Sequence, residues 1–110
     1  MYTDDEIYQG LGETVRAIAP THAQWVSVDV ELSEQGDHAK LLYDFQVSGG
    51  EVQWFMPETA RVDHDIRVLL VKLRSFFAAN NLFENGKPWK RCLITLWLDS
   101  GKFSADFKYD

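Results

Sequence analysis

The side chains that could do acid–base or metal chemistry are thinly spread along this chain. Its three histidines, His22, His38 and His64, lie in three separate segments. The sequence contains neither an H-x-x-x-H nor a C-x-x-C spacing, the local patterns in which these residues commonly hold one metal ion. His64 lies between two aspartates on the polar side of a predicted helix, so we expect it to be exposed to solvent. The spacing therefore predicts no metal site.

The single cysteine, Cys92, alternates in phase with Ile94 and Leu96. Period-two alternation places these three side chains on one face of a strand, and a thiol on a buried face is unreactive because burial disfavours the thiolate. No histidine has a spacing that would activate this thiol, so we expect no nucleophilic catalysis. One cysteine also excludes an internal disulfide, which fits a reducing compartment.

Phosphate cradles and general acids are not predicted either. A phosphate-binding glycine loop opens a helix after a strand, whereas Gly49 and Gly50 precede a predicted strand. Gly10 and Gly12 lie inside a predicted helix. The carboxylate pairs lie at a helix start or on solvent-facing strand positions, where no desolvated setting prepares a carboxyl group for acid catalysis. The sequence therefore predicts a protein that is not an enzyme and has no catalytic residues.

The composition indicates one folded, acidic domain. The 110 residues are 45% hydrophobic and 14% aromatic, which is enough for one core and predicts a single domain over residues 1–110. With 17 acidic and 11 basic residues, the formal net charge is −6. This balance argues against nucleic acid or an anionic membrane as partner and permits a basic protein partner. No apolar run reaches the length of a membrane span and no signal sequence is recognisable, so we expect a cytoplasmic protein.

The clearest structural signal is segment 90–110, in which two alternating runs flank a tight turn at Asp99-Ser100-Gly101. One face of this segment is apolar and carries Cys92, Ile94, Leu96, Leu98, Phe103, Ala105, Phe107 and Tyr109. Such a pattern predicts a β-hairpin with one buried and one open face. Three further alternating runs, at residues 24–32, 39–47 and 51–55, predict an antiparallel meander.

Two helices are predicted from apolar residues repeating at three and four positions. The first carries Ile7, Leu11, Val15 and Ile18, and Thr3 with Glu6 forms a capping box at its start. The second begins at Glu58 or Thr59 and ends near Asn80 and Asn81. Within this second helix, Asp63 and Arg67 are spaced for an ion pair along one side.

The order of elements is helix, three strands, helix, two strands. The simplest packing lays both helices on one face of a five-stranded, mostly antiparallel sheet, which is an α+β fold. The other face of the sheet is then open to solvent. By parity, that face carries Trp25, Ser27, Asp29, Glu31, Leu42, Asp44, Gln46, Leu93, Thr95, Trp97, Ser104 and Asp106.

Two tryptophans among carboxylates are more than a solvated sheet face usually carries. The candidate partner-binding residues are therefore Trp25, Asp29, Glu31, Asp44, Trp97, Asp99 and Asp106. The tryptophans would serve as anchors, and Asp99 lies at the hairpin tip. Because Lys40, Arg91, Lys102 and Lys108 share the parity of this face, its charge is not one-sided, and contact through an edge or a loop stays open. So does the alternative that twist, loops or a terminal segment cover both tryptophans.

The tail of the chain has an ordered pattern of aromatic, acidic and glycine residues: Trp89, an apolar run to Leu98, then Asp99-Ser100-Gly101-Lys102-Phe103 and Asp106-Phe107-Lys108-Tyr109-Asp110. This order resembles the W…D-x-G-K-F…D-F-x-Y-[DE] arrangement of YezG-like immunity proteins, and Ile7-Tyr8 and Trp25 are similar to the family's start. The resemblance implies an antitoxin of a polymorphic toxin system. Such a protein binds a secreted toxin, often a nuclease, inside the producing cell and blocks it without a cofactor. The carboxylates of the open face would then mimic phosphates towards a basic active site.

A second hypothesis follows from the residues alone. A small homodimeric structural or adaptor domain would pair its open face with a second copy and cover Trp25 and Trp97. A monomer that binds a basic nuclease favours the immunity protein, whereas a tight dimer favours the adaptor.

Overall fold

The computed structural model describes residues 4–58 and 60–109, which form two helices and five strands. In chain order these are α1 (Asp4–Ile18), β1 (Ala23–Leu32), β2 (Ala39–Val47), β3 (Gln53–Phe55), α2 (Arg61–Ala79), β4 (Arg91–Trp97) and β5 (Phe103–Lys108). A short 3₁₀ turn at Glu84–Gly86 precedes β4. The predicted α+β class and the predicted order of helices and strands are confirmed.

All five strands belong to one sheet in the order β3-β2-β1-β4-β5, and every neighbouring pair is antiparallel. The central strand is β1, which lies between the meander strand β2 and the hairpin strand β4. The crossover through α2 brings β4 to the free side of β1. The short strands β3 and β5 form the two edges of the sheet.

Both helices cover the same face of the sheet, and the core lies between the two layers. Spacings of three and four residues give each helix one apolar stripe. These stripes bury Ile7, Leu11 and Val15 of α1 and Ile66, Leu70 and Leu73 of α2. The sheet contributes Val26, Val28, Val30, Leu32, Tyr43, Cys92, Ile94 and Leu96 to the same core. Neither helix of the described chain is long and apolar enough to cross a membrane.

Two arginines of α2 hold the loop between β1 and β2. Arg74 Nη2 donates to the carbonyl oxygens of Ser33 and Glu34 at 2.8 and 3.0 Å, and Arg67 Nη1 donates to the carbonyl oxygen of Gly36 at 2.7 Å. Gly36 has a φ of +78°, and a Cβ at this position would lie 2.9 Å from a methyl carbon of Val71 on the helix. Glycine is therefore required where the loop approaches α2.

The predicted start of the second helix at Glu58 is wrong. Helix α2 begins at Arg61, after Ala60 as its N-cap, whereas Met56, Pro57 and Glu58 are not helical. Pro57 keeps Met56 out of the helical region, and Glu58 lies in a bend before the helix. The alternative start at Thr59 and the predicted cap residue Thr3 lie outside the described residues.

Candidate protein interface

The side chains on the sheet face opposite the helices form four rows across the strands, and we call this surface the open face. In the first row, the strand register pairs Trp25 with Trp97 on β4 and with Gln46 on β2. The other rows, from β2 through β1 and β4 to β5, are Asp44-Ser27-Thr95-Ser104, Leu42-Asp29-Leu93-Asp106 and Lys40-Glu31-Arg91-Lys108. The register therefore brings all the candidate residues except Asp99 together on one face.

The two tryptophans predicted as anchors are adjacent, and each is half-buried. Trp25 Nε1 donates to Gln46 Oε1 at 2.8 Å, and Gln46 Nε2 donates in turn to the carbonyl oxygen of Gly50 at 2.7 Å. Lys102 Nζ lies 5.5 Å from the centre of the Trp97 ring, which is a cation–π distance. Neighbouring side chains therefore hold each indole in place and leave part of its surface open to a partner.

The most exposed apolar side chains lie at the β3 edge and are not among the candidates predicted from the sequence. Trp54 is the register partner of Asp44, which places it on the open face. Trp54, Met56 and Leu42 are 75%, 77% and 55% exposed. Met56 directly follows β3, and its side chain is the most exposed of the three. The signal in the sequence was the shared parity of Val52, Trp54 and Met56, spread over a run too short to show which face is buried.

These three exposed side chains border a cleft of about 400 Å³ at the end of β3, which we call the β3 cleft. Its lining also includes Tyr43 and the carboxylates of Asp44 and Asp63. The Tyr43 hydroxyl donates to Asp63 Oδ1 at 2.5 Å. Burial, reinforced by this hydrogen bond, raises the pKa of Tyr43, so the phenol remains a donor. The β3 cleft therefore combines apolar walls with negative charge.

The carboxylates of the open face differ in how strongly neighbouring cations neutralise them. Asp29 Oδ2 accepts a hydrogen bond from Arg91 Nη2 at 2.6 Å, and this contact raises the pKa of the Arg91 guanidinium. Glu31 lies between two cations in its row. Asp44 lies between Trp54 and Ser27 instead, and Asp106 is paired with Leu93. Negative charge is thus least compensated at Asp44 and Asp106.

Asp99 lies off the open face, in the turn between β4 and β5. Its Oδ1 accepts a hydrogen bond from the Ser100 amide at 2.7 Å, and Gly101 follows with a φ of +75°. The Gly101 amide then donates to the carbonyl oxygen of Trp97 at 2.8 Å. The Asp99 side chain thus stabilises the turn, and its nearness to Trp97 in the chain leaves it at the rim of the open face.

The cysteine and the histidines do not form a shared site. Cys92 is fully buried, and burial raises its pKa to about 12. His38 is exposed beside Asp37, and His64 is exposed beside Arg67. Across residues 4–58 and 60–109, no group of three or more His, Cys, Asp or Glu side chains is arranged to hold a metal ion. The open face instead carries aromatic, apolar and carboxylate groups.

No protein-family model matches the chain, and no curated protein matches it. The tail residues that resemble YezG-like immunity proteins have structural roles here. The ring of the fully buried Trp89 lies 5.0 Å from that of Phe107, and the ring of Phe103 lies 5.9 Å from that of Tyr8 on α1. These contacts join the hairpin to the core, so the tail pattern reports on the fold rather than on a partner surface. The final residue of the pattern, Asp110, lies outside the described residues.

Proposed function

We propose that this chain is an immunity protein that binds a cognate secreted toxin of the nuclease class and blocks its basic active site. The observation that carries the proposal is the open face, where Trp25, Trp97 and the strongly exposed Trp54 lie among carboxylates. Large aromatic side chains within a polar rim are common anchors of protein interfaces. The chain acts by binding in the cytoplasm of the producing cell, without a cofactor and without making or breaking a covalent bond.

The exposed apolar groups provide the binding free energy. Replacing a well-packed aromatic anchor by alanine typically costs about 2 kcal/mol or more, which corresponds to about 30-fold in Kd. Trp54 and Met56 are more than two-thirds exposed in the free chain, so a partner can remove most of their surface from water. Trp25 and Trp97 are already held by Gln46 and Lys102, and binding costs them little side-chain entropy.

The net charge supports a basic partner. A nuclease active site binds phosphates and is therefore basic, and the −6 charge of this chain would steer such a partner towards it. Asp44 and Asp106 serve this purpose better than Asp29 and Glu31, which have cationic neighbours. We therefore expect the carboxylates to set the association rate mainly and the aromatic side chains to set the dissociation rate.

The proposal is tested with the toxin domain expected in the neighbouring reading frame, at the basic C-terminus of a large secreted protein. The chain is co-expressed with that domain, survival is scored, and the Kd of the purified complex is measured by calorimetry. We expect protection of the cells by the unchanged chain and at least about 30-fold weaker binding for Trp54→Ala combined with Trp97→Ala. The matched control is Leu82→Ala, an exposed leucine between α2 and β4, which should leave the Kd unchanged.

Charge reversal tests the electrostatic part separately. Asp44→Lys combined with Asp106→Lys should slow association with the toxin domain in stopped-flow measurements, and the loss should shrink as salt is added. The matched control reverses the same number of charges on α1, at the exposed Asp5 and Glu13. If both double variants slow association equally, or if the Asp44 and Asp106 variant associates at an undiminished rate, the open face does not mimic phosphates.

A homodimeric adaptor is the second candidate function, and the exposed patch at the β3 edge favours it. A second copy could cover Leu42, Trp54 and Met56 as well as a toxin could. Sedimentation at micromolar concentration separates the two candidates. A monomer that forms a complex with the basic toxin domain supports the immunity protein, and a tight dimer that ignores the toxin domain supports the adaptor.

A further inference from the structure

Strand β2 is longer than the strand that covers its outer edge. β1 pairs with β2 along its whole length, from Leu32 with Ala39 to Ala23 with Val47. β3 pairs only with the part of β2 from Tyr43 onwards. In the described part of the chain, no strand pairs with the outer edge of β2 before Tyr43.

The backbone of Leu41 faces this uncovered edge. In an antiparallel sheet, successive residues direct their N–H and C=O groups alternately to the two neighbouring strands. The Ser33 amide donates to the carbonyl oxygen of His38, which assigns the even-numbered residues of β2 to β1 and the odd-numbered residues to the β3 side. The pairing with β3 ends at Tyr43 and Phe55, and Pro57, two residues after Phe55, has no N–H to donate to β2. Pro57 therefore ends the coverage of β2.

The uncovered edge runs alongside the β3 cleft. Leu41 and Leu42 line that cleft together with Trp54 and with the carboxylates of Asp44 and Asp63. Its described lining includes no lysine or arginine. An exposed indole beside carboxylates suits a cation that stacks on the ring while its charge is neutralised.

We propose that the uncovered edge of β2 and the β3 cleft together bind an extended, basic segment of a protein partner. The segment adds a strand beside β2, exchanges backbone hydrogen bonds with Leu41, and places a lysine or arginine side chain in the cleft near Asp44 and Trp54. The inference rests on the proposed function for the identity of the partner, while the chemistry of the segment follows from the edge and the cleft themselves.

A second copy of this chain fits the same edge poorly. Pairing two β2 edges would bring the Asp44 and Asp63 carboxylates of both copies into one small contact, and each copy has a net charge of −6. Like charges facing each other across paired strands destabilise the pairing. The uncovered edge spans about four residues, and the area that such a short edge can bury is far below the roughly 800 Å² per partner that a stable interface buries. An isolated segment should accordingly bind weakly, and a partner would gain affinity from the rest of the open face.

The experiment is a titration of the full ¹⁵N-labelled chain, followed by amide and indole NMR signals. Three synthetic peptides with blocked termini serve as probes: RVRVRV, EVEVEV, and RVRVRV with alternate amides N-methylated. The basic peptide should shift the Leu41 amide and the Trp54 indole N–H progressively and slow hydrogen exchange at Leu41 by at least tenfold. The acidic peptide should leave both signals in place, and the N-methylated peptide should bind at least tenfold more weakly because it lacks strand donors.

Two variants locate the charge that matters. Asp44→Lys should abolish the shifts caused by the basic peptide, whereas Glu13→Lys makes the same change on the exposed side of α1, away from the open face, and should preserve them. The inference is overturned by equal shifts with the acidic peptide, by shifts confined to residues away from β2 and β3, or by shifts of Leu41 that depend on protein concentration alone. If the unchanged chain fails to protect cells from the toxin but the basic peptide still shifts the Leu41 and Trp54 signals, the proposed function is overturned and this inference stands.

Discussion

Tyr43 and Asp63 connect β2 to α2 at the β3 cleft, and replacing the tyrosine by phenylalanine measures that connection. Tyr43 is only 5% exposed, and its hydroxyl donates to Asp63 Oδ1 at 2.5 Å. Tyr43→Phe removes the hydroxyl and keeps the ring, whose centre lies 5.5 Å from that of Phe55. The substitution therefore separates the hydrogen bond from the aromatic packing.

The expected loss is about 1–2 kcal/mol in the free energy of unfolding. A hydrogen bond to a charged group contributes about 1.5–3 kcal/mol, and the loss falls at or somewhat below the lower end of that range because Asp63 is partly exposed and water can replace the lost donor. In a chain of 110 residues, an unfolding entropy of about 2.1 cal/mol/K per residue gives about 0.23 kcal/mol/K. The loss should therefore lower the Tm by about 4–9 °C.

The assay is urea unfolding at pH 7 of the unchanged chain, Tyr43→Phe, Asp63→Asn and the double variant. The m-value should stay constant, and the four free energies should give a coupling of about 1 kcal/mol between the two side chains. A Tyr43→Phe variant within about 0.3 kcal/mol of the unchanged chain would refute the reasoning. So would an Asp63→Asn cost that is the same with and without the tyrosine hydroxyl.

Three further predictions concern stability. Raising the pH from 9 to 10 should lower the free energy of unfolding by about 1 kcal/mol through Cys92, because its thiol, with a pKa raised to about 12, stays protonated in the folded chain and ionises in the unfolded one. Cys92→Ala should flatten the dependence of the unfolding free energy on pH, measured by urea titrations, and an unchanged dependence contradicts this. Gly36→Ala should lose more than about 1 kcal/mol, because both the left-handed backbone and Val71 exclude a Cβ; Gly49→Ala has the same backbone in open space and should lose less, and equal losses would contradict the steric part. Trp89→Ala should cost about 3–5 kcal/mol because its ring is fully buried, and a loss under about 1 kcal/mol in thermal unfolding would show that its surroundings collapse around the gap.

The helices and strands were predictable because each element buries only one of its faces. In β4, Cys92, Ile94 and Leu96 are buried while the residues between them are not, which is the period-two pattern of the sequence. The order of the strands was not predictable in this way. It depends on the crossover through α2, and the pattern of β4 would fit beside either outer strand of the meander.

The side-chain partners were less predictable than the elements that carry them. Asp63 and Arg67 are spaced for an ion pair, yet both have tertiary partners that the spacing does not indicate: Asp63 accepts from Tyr43, and Arg67 donates to the carbonyl oxygen of Gly36. Spacing along one helix cannot indicate that β2 and the β1–β2 loop pack against this turn of α2. Trp54 was missed for a related reason, because a strand of three residues offers too few positions to show alternation.

Cross-saturation NMR of the labelled chain in complex with the toxin domain tests the binding role of the open face most directly. The method reports which amides lie against the partner. Saturation should reach β1 to β4 on the open face and be strongest from Leu41 to Asp44 and at the Trp54 and Trp97 indoles. Saturation confined to the outer surfaces of α1 and α2, with the open face untouched, would contradict the proposed interface.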